Sequence, residues 1–570
     1  MQDHPYGWLS IVPPLATVAV ALLTRRVLVS LLLGIAAGAL ITSGGAPLPA
    51  VYHFFETHLW STLIDPGKLR VLCFTLLMGA MIGVLNAGGG MRGLVELLTP
   101  LINSTRRCEV VTWFLGLVVF FDDYTNTLLL GNTMRATFDR LKLSREKLAY
   151  IVDSTAAPVA CLAPFSVWVL FELECIQDGI NNIDPSIAAR PAAMDLFIAC
   201  LPYRFYVILA LALVLLVALL RRDIGPMVKA ERHARLGDPT KGTPVDDAPP
   251  IDQPATHWSN ALGPILVTLA VVIALILVGG RAALSPGDQS AEQAAELVDE
   301  PAPQAAAGPS LIEIVGAADA SVALMYGALV GLFAAAALLL VRGVLTTPQI
   351  QAAAFNGVRM VLPALAILWF AGTMSRMTGN RGAEGQTQTV AYEFQDYRLY
   401  TGDYLKELLP QGDETGAGST TALLPSVVFL LACLVAFATG TSFGTMGILL
   451  PFVVPVSVAT IAVDGVFDPH HPLLLASIGS VLAGAIFGDH CSPISDTTIL
   501  SSQASGCDHM AHVVTQMPYA ISAGLVSAVG VAAVGYGAGV WLVLPAQVAG
   551  LVVILLVFGQ RVEDAAQVPG

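Results

Sequence analysis

Gly488-Asp489-His490-Cys491-Ser492-Pro493-Ile494-Ser495-Asp496-Thr497-Thr498-Ile499-Leu500-Ser501-Ser502 directly follows the apolar stretch 473–487. That stretch is apolar and long enough to be buried in a bilayer, so two carboxylates, a helix-breaking proline and a crowd of hydroxyls sit at membrane depth. A charge there costs about 2.5–3.5 kcal/mol on insertion scales, and irregular backbone is tolerated only where it is buried in protein or lines a cavity. The segment therefore faces protein rather than lipid. Acidic, oxygen-rich and locally unwound, it has the chemistry that holds a small hard cation such as sodium, or a proton in its place.

The rest of the chain agrees with a membrane setting. Of 570 residues, 55% are hydrophobic and 12% charged, with a mean hydropathy of +0.71, which is polytopic membrane composition. A net charge of -14 argues against nucleic acid as a partner, because phosphate binding requires clustered Lys and Arg. The eight cysteines include no Cys-x-x-Cys pair and lie mainly in or beside apolar segments, so they read as small buried residues. Trp8 to Leu23 has no basic flank and no obvious cleavage site before it, and is expected to be a retained first helix.

Apolar runs near 8–24, 27–43, 70–88, 147–170, 196–220, 259–279, 319–341, 350–375, 473–500, 516–538 and 541–559 predict an all-α polytopic membrane protein with about eleven spanning helices. Polar stretches 223–257 and 280–318 read as loosely ordered linkers. A third insert, 378–421, contains the amphipathic stretch 404–409, suited to a membrane interface.

Lys and Arg set the orientation. Arg25 and Arg26, then Arg92, Arg106 and Arg107, then Arg135, Arg140, Lys142, Arg145 and Lys147 place three connections on the inner face. Segment 108–134 thus enters and leaves on one side and is too short to cross twice, which predicts a re-entrant hairpin with its tip at 122–126. A second hairpin is expected over 422–457, interrupted at 439–444, with its far flank 459–472 outside because it holds acids and histidines but no Lys or Arg. The basic residues of 378–421 break the rule, as long polar loops can.

Phe121 to Arg135 lines up with Phe437 to Pro451, placing Gly131 on Gly447, and each hairpin is followed by a helix expected to break among hydroxyls. In the first half, within 147–170, the expected break is Asp153-Ser154-Thr155-Ala156-Ala157-Pro158; in the second, within 473–500, it is the opening stretch. Such an inverted-topology repeat puts a transport site at the midplane. The expected organisation is an N-terminal half (1–220), a connecting unit (221–318) around helix 259–279, and a C-terminal half (319–570).

Asp122 and Asp123 follow the apolar run Phe114 to Phe121, and adjacent buried carboxylates require a proton or a cation between them. Thr125, Asn126, Ser154, Thr155, Thr441, Ser442, Ser495 and Thr497 supply neutral oxygens nearby. Other roles for the acidic pair are helix capping or pairing with Arg135 or Arg359. Asp489 is the stronger ion-site candidate of the second half; Asp496 is either an ion ligand or an N-cap, and Asp153 is a possible first-half counterpart of Asp489. His490 is suited either to shuttling protons near neutral pH or to a structural place. Gly440-Thr441-Ser442-Phe443-Gly444 matches Gly-x-Ser-x-Gly, which would make an intramembrane serine protease with His490 as base, but both flanks are membrane-type helix rather than strand and helix. His490, Cys491, Cys507, His509 and His512 lack regular metal-ligand spacing.

Three motifs in this order, FFDDYTNTLLLGNTMR (120–135), ATGTSFGTMGILLP (438–451) and GDHCSPISDTTILSS (488–502), resemble the NhaC family of sodium/proton antiporters, most clearly over 71–175 and 425–505. The resemblance implies a transporter rather than an enzyme, exchanging sodium for protons across a bacterial inner membrane with a transport subdomain that moves as an elevator against a scaffold. It implies a sodium site at Asp122, Asp123 and Asp489, with Asn126, Thr441, Ser442 and Ser492 as neutral or backbone-assisted ligands. Its partners are sodium ions, protons and the lipid bilayer; no cofactor is implied, and a homodimer is left open. The alternative is a sodium- or proton-coupled organic-anion or amino-acid carrier, in which helix N-termini receive a substrate carboxylate.

Overall fold

The computed structural model describes residues 4–24, 26–163, 166–184, 187, 190–236, 255–284, 318–378, 397–401, 404, 419–463 and 465–562. Among them the extended pairings are two isolated bridges, Asp223 with Gln560 and Val463 with Val466, and the rest of the regular structure is helical. The chain opens with α1 (Val12–Thr24) and α2 (Val27–Thr42). Short helical turns over Pro47–Tyr52, His53–Trp60 and Ser61–Leu63 follow, which hydropathy had not suggested. Next come α3 (Pro66–Ala87), capped by the Asp65 carboxylate, and the short α4 (Gly90–Leu98).

The expected first hairpin is α5 (Thr105–Val118) and α6 (Asp123–Arg140), with the break at 119–122, ahead of the expected tip 122–126, whose residues 123–126 already belong to α6. The first broken helix is α7 (Arg145–Leu162) and α8 (Val167–Asn181). Then α9 (Ala193–Cys200), extended by a 3-10 turn to Tyr203, bends by 47° at Arg204 into α10 (Phe205–Leu220). After α11 (Pro226–Arg235) come three long apolar helices, α12 (Ser259–Leu284), α13 (Ala320–Val341) and α14 (Thr347–Met377). The second hairpin is α15 (Leu424–Thr439) and α16 (Ser442–Ile461); the second broken helix is α17 (Pro472–Cys491) and α18 (Asp496–Ser505). The chain ends in α19 (His509–Gly535) and α20 (Val540–Phe558).

Every expected span has a helix in its place. Eight described helices are individually long and apolar enough to cross a bilayer, and ten if α7–α8 and α9–α10 each count as one span. Helix α16, expected as a hairpin arm ending near 457, is itself 20 residues long and runs through Pro451 and Pro455. Three readings are corrected. The first broken helix does not part at 153–158: α7 continues through Pro158 and ends at Ala163, whose backbone is extended. Ala163 precedes Pro164, and the proline ring disfavours helical geometry in the residue before it. Ser492, extended before Pro493, ends α17 for the same reason. Second, linker 223–257 is not loose throughout, since 226–235 forms α11, which packs on α7 and α19 with Met227, Val228, Glu231 and Ala234 buried. Third, matching the hairpins by their observed caps, Asp122 and Thr441, shifts the sequence pairing of the two halves by three residues. Of the remaining linkers, 285–317 and the amphipathic stretch beyond Tyr404 lie outside the described residues.

Each break restarts on a polar side chain, as four unpaired N–H groups at a helix start require. Asp122 accepts from the Thr125 amide at 2.7 Å, Ser166 from Val169 at 3.2 Å, Thr441 from Gly444 at 3.3 Å and Ser495 from Thr498 at 3.4 Å. Packing between the halves is reciprocal. The second arm of each hairpin lies on the short helix after the other half's break, α6 on α18 and α16 on α8. Helices α3, α12, α13 and α14 form a layer to one side, and α14 reaches α16 and α2. Close approach within that layer relies on glycine: a Cβ on Gly357 would lie 1.9 Å from the Gly79 carbonyl oxygen.

Candidate functional site

The breaks leave carbonyls without helical partners, and the motif side chains meet them. The Asn126 amide nitrogen lies 2.8, 3.1 and 3.3 Å from the carbonyl oxygens of Gly116, Val119 and Thr155. The Ser492 hydroxyl donates to the Phe437 carbonyl at 2.8 Å and the Ser442 hydroxyl to the Ala485 carbonyl at 3.2 Å, stitching α17 and its break to the second hairpin. The crossing is tight. Gly440 closes α15 with φ of +66°, and a Cβ there would stand 2.7 Å from the Ile494 carbonyl oxygen.

Two groups of acids result. At the tip of the first hairpin, Asp122 caps α6 and Asp123 begins it; both are buried, and one Asp123 oxygen, Oδ2, has no hydrogen-bond partner. The Tyr124 hydroxyl donates to the Asp496 carboxylate, and Tyr124 lies within electrostatic reach of Asp123 and Asp489 too. The Thr125 hydroxyl accepts from Asn86 of α3 at 3.1 Å. Asp496 is not the N-cap of its helix; Ser495 is.

The second group centres on Asp489 and Asp153. Asp489, 1% exposed, accepts from the Thr497 hydroxyl at 3.2 Å through Oδ2, and its Oδ1 is unpartnered. Asp153, wholly buried, accepts from Gln516 Nε2 at 2.5 Å and from Thr498 at 3.3 Å through Oδ2, which also lies 3.4 Å from His512 Nε2. Its Oδ1 is unpartnered as well, as is Gln516 Oε1. Gln516 also donates to the His490 carbonyl at 3.0 Å, the Ser501 hydroxyl pairs with His512 at 3.1 Å, and His490 Nδ1 pairs with the Tyr206 hydroxyl at 2.9 Å.

Asp153 and Asp489 therefore share a neighbourhood built from α7, α17, α18 and α19, although Asp153 is not the positional counterpart of Asp489. Matched on the prolines that end α7 and α17, Asp489 corresponds to Ala160. Thr155 hydrogen-bonds within its own helix, to Ile151 at 2.8 Å, and Ser154 is buried beside it. Among the described residues no three His, Cys, Asp or Glu side chains converge to hold a metal ion. Asp122, Asp123 and Asp489 thus do not close into one cage in this conformation, Asp122 being held by its cap, and the His490, Cys491, Cys507, His509, His512 set is not assembled. Ser442 bonds a carbonyl and His490 a tyrosine, so no nucleophile–base pair forms.

Sequence reading did not assign a role to Gln516 or to His512 beyond the discounted metal set. The predicted span began at 516, whereas α19 begins at His509 on an Asp508 cap, which brings both side chains onto buried turns facing Asp153. It also passed over a wholly buried ion pair, Arg204 with Glu172 at 2.7 Å, in which Arg204 additionally donates to the Cys161 carbonyl near the end of α7. The signal was present: an arginine inside the run 196–220 read as spanning, and a glutamate just past the end of the run 147–170.

The model of the Na+/H+ antiporter family matches residues 404–536. A Haemophilus influenzae protein named only as an uncharacterized protein is 30% identical over 534 residues, covering 92% of this chain and 91% of its own. The malate-2H(+)/Na(+)-lactate antiporter of Bacillus subtilis is 37% identical over 114 residues, 19% of this chain and 22% of that one. A second Haemophilus influenzae protein, named as an uncharacterized Na(+)/H(+) antiporter, is 41% identical over 100 residues, 17% of this chain and 19% of its own. The matched family region includes the second hairpin, both parts of the second broken helix, and α19 with Gln516 and His512. With its breaks, buried acids and apolar helices, the chain is a multi-pass membrane transporter that belongs to the Na+/H+ antiporter family.

Proposed function

We propose that the protein exchanges sodium for protons across the bacterial inner membrane by alternating access, with Asp123, Asp153 and Asp489 as the groups that carry the ions. One observation supports this most: each of the three is buried and keeps one carboxylate oxygen without a hydrogen-bond partner. An ionised, unpartnered carboxylate in a low-dielectric interior is strongly disfavoured, so each position calls for a proton or a cation. A site that must hold one or the other, and holds neither alongside the other well, is an exchanger. Neutral oxygens of Thr497, Thr498 and Gln516 adjoin Asp489 and Asp153. Asp122 and Ser442 serve the breaks themselves. The two halves 1–220 and 319–570, joined through 221–318, would form the repeat whose relative motion exposes the site to either side.

The name of the Bacillus subtilis relative favours a second reading, in which an organic anion travels with the cation. The buried acids weigh against it, because an anion beside them needs a cation to compensate. Purified protein in liposomes with a trapped pH-sensitive dye, given a pH gradient and then sodium with no organic solute present, separates the two. Sodium-triggered dequenching is the expected result. No response from folded protein, together with sodium-driven uptake of a radiolabelled dicarboxylate, would replace the first reading by the second.

A further inference from the structure

Asp508 caps α19, accepting from the Ala511 amide at 2.8 Å, and a helix begun there sets His512 and Gln516 four residues apart on one face. Both side chains are wholly buried beside Asp153 of α7. The Gln516 nitrogen donates to Asp153 Oδ2 at 2.5 Å and to the carbonyl of His490, in the last turn of α17, at 3.0 Å. An amide nitrogen carries two protons, and these bonds use both.

The same two partners decide which end of the amide is which. Turned over, the side chain would set its oxygen against a carboxylate and a carbonyl, with no proton between any of them. The orientation that remains leaves Gln516 Oε1 buried and without a donor. Asp153 repeats the pattern: Oδ2 receives Gln516 and Thr498, and Oδ1 receives nothing. Two bare oxygens, one charged and one neutral, thus belong to side chains joined by a single hydrogen bond. The Thr498 hydroxyl oxygen, 3.3 Å from Asp153 Oδ2 and 3.5 Å from the Asp489 carbonyl oxygen, is a third oxygen at the same place. Buried oxygens without donors are the chemistry that receives a hard cation.

We infer that Gln516 Oε1 is a ligand to the sodium ion held at Asp153 and fixes which metal cation that position takes. It rests on the reading that Asp153 carries sodium. Selection among hard cations comes from the size and stiffness of the oxygen set. Gln516 supplies stiffness: its amide is tied at two points, to α7 and to the end of α17, so Oε1 cannot follow a larger or a smaller ion. A carboxylate alone, which accepts a proton or any monovalent cation, has no such preference.

The test is binding of radioactive sodium to the purified full-length protein at pH 9, where protons compete least, with unlabelled lithium and potassium as competitors. Gln516→Met keeps the length of the side chain but offers only a thioether, a poor partner for a hard cation. Sodium is expected to bind about 10-fold more weakly in it, with a narrower preference for sodium over potassium. Gln516→Glu keeps an oxygen in place of Oε1 while giving up the amide protons, and is expected to bind sodium within about 3-fold of the unaltered protein. Gln516→Leu repeats the first comparison if Gln516→Met does not fold. A side chain that only held Asp153 and the His490 carbonyl in place would make Gln516→Met and Gln516→Glu lose sodium alike, with the order of cations unchanged. That result would overturn the inference, as would Gln516→Met binding sodium as tightly as the unaltered protein. No sodium binding by the unaltered protein would overturn the reading of Asp153 itself, and the inference with it.

Discussion

Asp489→Asn is expected to lower sodium-driven proton exchange about 100-fold, equivalent to about 2.7 kcal/mol of lost stabilisation, while leaving the folded protein intact. The residue sits in the last turn of α17, 1% exposed, with Thr497 on one oxygen and nothing on the other. Asparagine has nearly the same shape and can keep the Thr497 hydrogen bond, but it cannot take up a proton at the free position or neutralise a cation. Asp122→Asn provides the contrast. Asp122 caps α6, and asparagine is an equally good N-cap, so exchange should stay within about 2-fold of the unaltered protein. The pair is measured by dye dequenching in liposomes at equal protein load. If Asp489→Asn behaves like Asp122→Asn, Asp489 is not a carrier of ions.

Arg204→Met should cost about 3–5 kcal/mol of stability, the typical penalty for leaving one member of a buried ion pair without its partner. Arg204 and Glu172 are both fully buried and 2.7 Å apart. Arg204 stands at the bend between α9 and α10 and reaches back to the Cys161 carbonyl, so the pair ties two interruptions of the first half together. The double variant Arg204→Met/Glu172→Met removes both charges at similar volume and should recover most of the loss. Folded yield and thermal midpoint in detergent measure both. A single variant as stable as the double would mean that Glu172 loses nothing with its partner and that the pair does not hold the bend.

Much of this architecture was legible because a bilayer imposes strong rules on sequence. Apolar runs located the spans, and the Asp122 and Gly440–Thr441 interruptions located both hairpin breaks. What misled was placing the first break among the hydroxyls of 153–158. Pro158 lies inside α7, where one missing N–H is tolerated, whereas Ala163 before Pro164 ends that helix. Hydropathy also hid α11, because an amphipathic helix with basic residues in its last turn resembles a linker when averaged. Within the site, Asp123, Asp153 and Asp489 stood out as intramembrane acids, and so did Thr497 beside Asp489, but the partners of Asp153 did not. Thr498, Gln516 and His512 reach Asp153 across 345, 363 and 359 positions of chain, a juxtaposition that only tertiary packing creates.

The central claim is that sodium and protons occupy the same buried carboxylates in turn. Binding of radioactive sodium to the purified protein, followed from pH 6 to pH 9, tests it directly. The account predicts that the apparent dissociation constant weakens about 10-fold for each pH unit below the titration of the site, with one proton released per sodium bound. A dissociation constant that does not change with pH, or binding that appears only when an organic acid is added, would contradict it.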